Sequence, residues 1–321
     1  MNTFGRIYRL TDFGETHGKC LGGIIDGCPS GIYVDEVSIA QELLRRAPSN
    51  HSNSTRRKEK DSVRFLSGIY ENYTNGSPIA FIVENEDVII DEVLDKIIKP
   101  SHASFVYKEK YGHTCNEQSG RASARQTVCR VVAGAIAKLI LKKYSVDIQA
   151  HVVSVAPISR SGDSAGAQVG CIIKNLPAGL GEPVYDKFDA RLAAAMLSIN
   201  ACKGFEIGCG FKSALMCGSD YNDKQHNDFT FGSNHDGGVQ AGITNGQDVC
   251  FQVAFKPIPS IEIEQQTIDY KGNTTFFKNN VRNDVSVVPR VLPVVEAMAA
   301  LVAVDFIFLH LKNKCNFAEN L

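Results

Sequence analysis

Neither a zinc site nor a disulfide framework is written into this chain, because none of its ten cysteines is spaced C-x-x-C and no regular interval relates them. Buried free thiols in a reducing cytoplasm are the expectation. Net charge is nearly absent too: 34 Lys and Arg stand against 35 Asp and Glu, a formal charge of −1, which excludes the broadly basic surface that nucleic acid or anionic lipid attracts. Any anion site must be local. No apolar run follows Arg6 and Arg9 to form a signal peptide. The most apolar stretch, 291–311, is interrupted by Pro293, Glu296 and Asp305, and predicts a buried C-terminal helix. No Ser-, Gly- or Pro-rich linker and no repeat divides the chain, so one domain over 1–321 is expected. A P-loop, H-E-x-x-H and a complete G-x-G-x-x-G are all missing, so nucleotide hydrolysis, zinc proteolysis and ordinary dinucleotide binding lose support.

What is present is a globular composition, 44% hydrophobic and 21% charged. Residues 125–143 carry Val128, Val131, Val132, Ala135, Ile136, Leu139 and Ile140 at helical spacing, the clearest helix, and 189–197 predicts a second. Strand patterns fall at 22–26, 79–84, 148–155, 169–175 and 249–256, several alternating as half-covered strands do. Strands and helices do not alternate regularly, which predicts an α+β fold with antiparallel sheets. Residues 50–61, 99–120 and 229–246 read as irregular, the places where ligand contacts concentrate.

Two histidines sit where chemistry has access: His17 between glycines in Gly14-Glu15-Thr16-His17-Gly18, and His102 after a proline-fixed bend at Pro100. A lone histidine is more often a satisfied structural residue, but one titrating near neutrality is also the natural proton donor. Arginines recur at 45, 46, 56, 57, 121, 125 and 282, each by default a solvated charge. Ser119-Gly120-Arg121-Ala122-Ser123-Ala124-Arg125 opens the strongest helix, where free N–H groups, the positive dipole end and two guanidiniums make a credible anion site. Lys256-Pro257-Ile258-Pro259-Ser260 ends an apolar strand with the parts to hold a phosphate or a ring edge, and a plain turn explains it equally. Asp284 beside Arg282 reads as a local ion pair.

Taken in order, these segments resemble chorismate synthase. The match rests on Gly14–Gly18 with Thr16 where the family usually has serine, Asp26-Gly27-Cys28-Pro29-Ser30-Gly31, Arg45-Arg46, Leu66-Ser67-Gly68, Lys110-Tyr111-Gly112 and Gly120 to Thr127. It continues through Leu176 to Pro183, Ser198 to Gly208, Asn234 to Gly238, Ile243 to Gly246, Lys256-Pro257 and Pro293 to Met298.

The resemblance implies an α+β fold in which a helical layer lies between two antiparallel β-sheets, assembled as a homotetramer in the cytoplasm. It implies an enzyme, a carbon–oxygen lyase that eliminates phosphate from 5-enolpyruvylshikimate 3-phosphate to give chorismate on the way to aromatic amino acids. Reduced FMN is required without net redox change, and the cofactor carries the hard chemistry. Carried over by residue, His17 is the acid for the departing phosphate, His102 protonates the reduced flavin, and Asp284 assists deprotonation through flavin N5. Flavin contacts are implied for Arg121, Ala122, Ser123, Asn200, Ala201, Ala241, Lys256, Pro257, Ile258, Pro259, Ser260 and Arg282. Substrate contacts are implied for Arg46, Arg45 and Arg125, with guanidinium forks suited to phosphate and carboxylate. No metal is implied.

The departures lie near that site. Arg-Pro-Gly-His-Ala-Asp of the family is Lys99-Pro100-Ser101-His102-Ala103-Ser104 here; a glycine-rich basic run has become residues 114–121, and Gly-Arg-His-Asp-Pro-Cys has become residues 281–286. Ala241 replaces a glycine, Ser52 stands where arginine is common, and several tens of residues are missing between Val155 and Gly162. A diverged flavin-binding paralogue with weak or altered lyase activity is therefore the alternative reading, and a non-enzymatic anion-binding protein a remote third. Whether NADPH serves as the flavin's reductant is left open by the lack of a dinucleotide fingerprint.

Overall fold

The structure is a computed structural model that describes residues 2–47, 59–87, 96–112, 120–279 and 284–313. The N-terminal part runs β1 (Thr3–Phe4), β2 (Arg9–Gly14), β3 (Cys20–Asp26), α1 (Glu36–Arg46), β4 (Val63–Phe65), the hairpin β5 (Ile69–Tyr70) and β6 (Tyr73–Thr74), and β7 (Ile79–Glu84). There follow β8 (Ile97–Ile98), α2 (Ser104–Tyr111), α3 (Thr127–Leu141), β9 (Asp147–Val155), β10 (Ala167–Lys174), α4 (Phe188–Leu197) and β11 (Cys202–Ile207). The last part holds α5 (Gly218–Tyr221), β12 (Val239–Gln240), β13 (Ile243–Thr244), β14 (Val249–Phe255), β15 (Gln265–Asp269), β16 (Thr274–Phe277) and α6 (Leu292–Asn313).

Two larger sheets form, with strand orders β1-β2-β3-β7-β4 and β11-β14-β10-β9, and every strand pairing is antiparallel. The alternation that marks β14, with Val249, Phe251, Val253 and Phe255 buried, turns one face of the second sheet inward. Helix α3 packs on β2 and β3 of the first sheet, α6 on β9 and β10 of the second, α4 on β11, and α3 and α6 on each other. At their crossing a Cβ on Gly134 would lie 2.3 Å from that of Ala297, so only glycine permits this approach. One buried cluster then runs from Tyr8 and Leu10 through α3 to Ile307.

The 22 residues of α6 are long and apolar enough to cross a membrane, yet Pro293 to Ile307 are buried inside the protein, as expected of a core helix. Its two acids explain the interruptions in the apolar run. Asp305 accepts the backbone N–H groups of Arg6, Ile7 and Tyr8 at 2.9, 2.7 and 3.1 Å, stitching the first strands to the last helix. Glu296 accepts from both terminal nitrogens of Arg45 at 2.7 Å, from Lys138 Nζ at 2.6 Å and from the Ala150 N–H at 3.0 Å, tying α1, α3, α6 and β9 together.

The stretch 99–120 is not wholly irregular: it contains α2, which buries no side chain and so leaves no apolar period to read. Where several tens of residues are missing, residues 156–166 join the paired strands β9 and β10 directly. The eight described cysteines carry free thiols, and burial pushes those of Cys28 and Cys129 up to about 12, which leaves them protonated and inert.

Candidate active site

The entrance to α3 has an extended Ser123 whose hydroxyl accepts the Arg125 N–H at 3.4 Å, followed by one 3₁₀ turn, Ala124–Gln126. Ala122, Ser123, Ala124 and Thr127 present this helix start to a cavity of about 580 Å³. Ile199, Asn200 and Ala201, just past α4, form the next wall, where Asn200 Nδ2 donates to the Ala122 carbonyl at 2.7 Å. Lys256, Ile258, Pro259 and Ser260 leave the end of β14, and Val287, Val291 and Val294 add an apolar side. Ser101, His102, Ala103 and Val106 close the cavity from the start of α2, and Asp284 and Arg290 from the approach to α6.

His102 is shaped by its neighbours. Its Nδ1 accepts the Ser104 N–H at 3.2 Å, so in the neutral ring the proton sits on Nε2. Burial, then Lys99 and Lys256, push its pKa down to about 4. Lys256 Nζ in turn donates to the Ser101 carbonyl at 3.1 Å. Ser101 (φ 56°), Ala201 (φ 65°) and Ala241 (φ 51°) are all left-handed, a conformation that favours glycine. Ser101 and Ala241, two of the departures noted in the sequence, thus hold a conformation that glycine adopts without strain.

The arginines separate. Arg46 lines the cavity and is fully buried, with Nη2 on Asp61 Oδ2 at 2.5 Å. Burial, reinforced by Arg125 and Arg290 and opposed by Asp61, pushes it down to about 10. Its Nε is buried without a hydrogen-bond partner among the described residues. Although burial alone would raise it, Arg46 and Arg125 hold the Asp61 carboxyl below the usual carboxylate range. Arg125, expected at the substrate, is instead buried behind the wall, bonded to Asp61, Asn85 and the Glu84 carbonyl. Arg45, also expected there, turns to Glu296 and Glu42. Arg121, expected at the flavin, bonds Asp12 and the Gly14 carbonyl and lines a second cavity of about 410 Å³ with Glu15 and Lys19. The start of α3 thus faces the cavity while its two guanidiniums point elsewhere, Arg125 to the buried Asp61 and Arg121 to the half-buried Asp12.

His17 lies in the β2–β3 turn and is not part of the lining, so the two histidines do not meet in this cavity. Its neighbour Thr16 donates to the Gly120 carbonyl at 2.9 Å, two residues before Ala122. Pro257 faces the backbone at Gly166, and Ala241 sits in the β12–β13 turn; neither lines the cavity. Arg282, Ser52, Arg56, Arg57 and residues 114–119 lie outside the described residues. The sequence reading missed Arg290, whose signal was a cation six residues after Asp284 and just ahead of the C-terminal helix.

A cavity of this size, with three cations, a neutral histidine and a single carboxylate among the described lining residues, set in an α+β fold, defines an enzyme built for an anionic small molecule. The family model for chorismate synthase matches residues 8–161 and 154–308. The chain belongs to the chorismate synthase family, which consists of lyases. It is 43% identical to the chorismate synthase of Parabacteroides distasonis over 359 aligned positions, covering 99% of this chain and 100% of that protein. With the chorismate synthase of Christiangramia forsetii the identity is 44%, covering 98% of each. A crystal structure of a chorismate synthase superposes with a TM-score of 0.75 at 27% identity, covering 96% of this chain and 94% of that one.

Proposed function

We propose that this chain converts 5-enolpyruvylshikimate 3-phosphate to chorismate with reduced FMN. The observation that carries the reading is the cation excess of the cavity, above all the buried Arg46 with its Nε unbonded among the described residues. A buried guanidinium with an open donor favours a ligand that brings negative charge. The lining also fits a flavin: Ile199, Ile258, Pro259 and Val287 offer an apolar slot for a ring system, and Ser123, Asn200 and Ser260 offer polar edges. When bound, reduced FMN supplies electron density on loan, with no net redox change.

The protein's own residues then have distinct tasks. Ala122, Ser123, Asn200, Ala201, Lys256, Ile258, Pro259 and Ser260 hold the cofactor, with Arg282 carried over from the family motif, and Arg46 binds an anionic group of the substrate. His102 is neutral in the cavity at pH 7, and a nearby anion raises its affinity for a proton, so it becomes an acid only once ligands are in place. The resemblance gives His17, which lies outside this cavity's lining, the departing phosphate, and has Asp284 on the cavity wall assist deprotonation of the substrate. The single buried cluster supports one domain over 1–321, with the helices as a layer between the two sheets. Exposed Tyr185, Phe211, Leu215 and Phe229 support a homotetramer, and a cytoplasmic location with NADPH as candidate reductant completes the reading.

The test is an anaerobic assay of chorismate and phosphate release with reduced FMN and the enolpyruvyl substrate. Stoichiometric formation of both is expected. Flavin binding with no chorismate would overturn the proposal in favour of a diverged paralogue.

A further inference from the structure

We propose that Arg290 is a positioning residue that clamps the Asp284 carboxylate at the cavity wall and fixes it to the end of α1. Nη1 of Arg290 donates to both carboxylate oxygens of Asp284, at 2.8 and 2.7 Å. Nε donates to the backbone carbonyl of Arg46 at 3.1 Å. Arg46 is the last residue of α1, whose final carbonyls have no partner within the helix and carry its negative dipole end. The guanidinium is thus held by a rigid element at one edge and holds a carboxylate at another, with its planar fork allowing little play between them.

The main chain alone gives Asp284 less support. It precedes a single bridge, Ser286 to Ala165, with the Val285 carbonyl accepting from the Ala165 N–H at 2.9 Å. No regular strand or helix begins before Leu292. Both partners are largely shielded, with side chains 18% and 23% exposed, so the pair is screened less than a surface pair. Since Asp284 is the one acid among the described lining residues, a carboxylate free to swing toward Lys256 would neutralise a cation of the ligand cavity. The clamp keeps the base and the anion-binding charges apart. This inference rests on the proposed function for what Asp284 does, but the clamp itself is a property of the protein.

Two measurements test it. Steady-state kinetics of Arg290→Gln are expected to show kcat lowered about 10- to 100-fold, the scale of a misplaced catalytic group, with KM and flavin affinity within about twofold. Arg290→Lys recovers part of the loss, and in an Asp284→Asn background Arg290→Gln costs less than about twofold more. A raised KM, weakened flavin binding, or additive losses would mean that Arg290 binds ligand itself, and would overturn the proposal; an unchanged kcat with a lower Tm would reduce it to a structural residue. Hydrogen exchange of the unliganded protein is the second readout: amides of 285–288 exchange at least about tenfold faster in Arg290→Gln while α6 is unchanged. Equal exchange in variant and parent overturns the clamp. If the parent shows no turnover, the functional reading fails, and exchange still decides the clamp.

Discussion

Replacing His102 with glutamine should flatten the acid dependence of stability in a calculable way. The ring titrates near 4 in the folded protein because of burial, Lys99 and Lys256, against an ordinary value of 6.5 in the unfolded chain. Below pH 6.5 the unfolded chain therefore binds the proton that the folded chain refuses, and stability falls as pH drops from 6.5 towards 4. Linkage gives a loss of about 2 kcal/mol at pH 5 and almost none at pH 7, and partial solvent access trims this to about 1–2 kcal/mol. Urea unfolding of parent and His102→Gln at pH 7 and pH 5 measures the difference. All other titrating groups are common to both proteins, so the parent should lose about 1–2 kcal/mol more than the variant over this interval. An identical loss in the two proteins would refute the burial and charge environment assigned to His102, and with it the idea that ligands switch this residue into an acid.

The other expectations are simpler. Calorimetric titration with inorganic phosphate or FMN at pH 6.5, in buffers of different ionisation enthalpy, should report greater net proton uptake by the parent than by His102→Gln, the ligand's own proton exchange being common to both. Glu296→Gln should lower stability at pH 7 by about 2–3 kcal/mol in urea, since it takes from Arg45 and Lys138 the more buried of the two carboxylates they share, leaving only Glu42. Burial alone would raise the Glu296 carboxyl, but Arg45 and Lys138 hold it low, so this contribution is full above about pH 4.5 and shrinks in acid below it. Ser101→Gly and Ala241→Gly should each raise the urea midpoint by the equivalent of about 0.5–1 kcal/mol, as glycine accepts the left-handed backbone and gives back part of the gain through a freer unfolded chain.

Helix α3 was legible in the sequence because nearly all of one face is apolar, and only its ends differ, where 3₁₀ turns flank it at 124–126 and 142–144. The five strand patterns lie within two residues of the observed strands for the same reason: alternation survives in any half-covered sheet. Helix α1 escaped because it buries only Ile39, Leu43 and Arg46, although Asp35, which caps the Ser38 N–H at 3.2 Å, was a start signal in plain view. The arginines mark the limit. Arg125 meets Asp61 across 64 residues of sequence and Arg45 meets Glu296 across 251, and no local pattern says which cation has a buried acid waiting for it. Motif order located the cavity wall at 122–123, 200–201 and 256–260, while the division between ligand-facing and structural guanidiniums needed the fold.

Because α6 touches α1, α3, α4 and the second sheet, and Asp305 grips the backbone at residues 6–8, the core around α3 is complete only once α6 has been made. A ribosome adds roughly 5–20 residues each second, so the apolar faces of α3 and β10 wait many seconds before residues 292–307 emerge to cover them. Until α6 arrives, the nascent chain exposes apolar surface of the kind that holding chaperones bind.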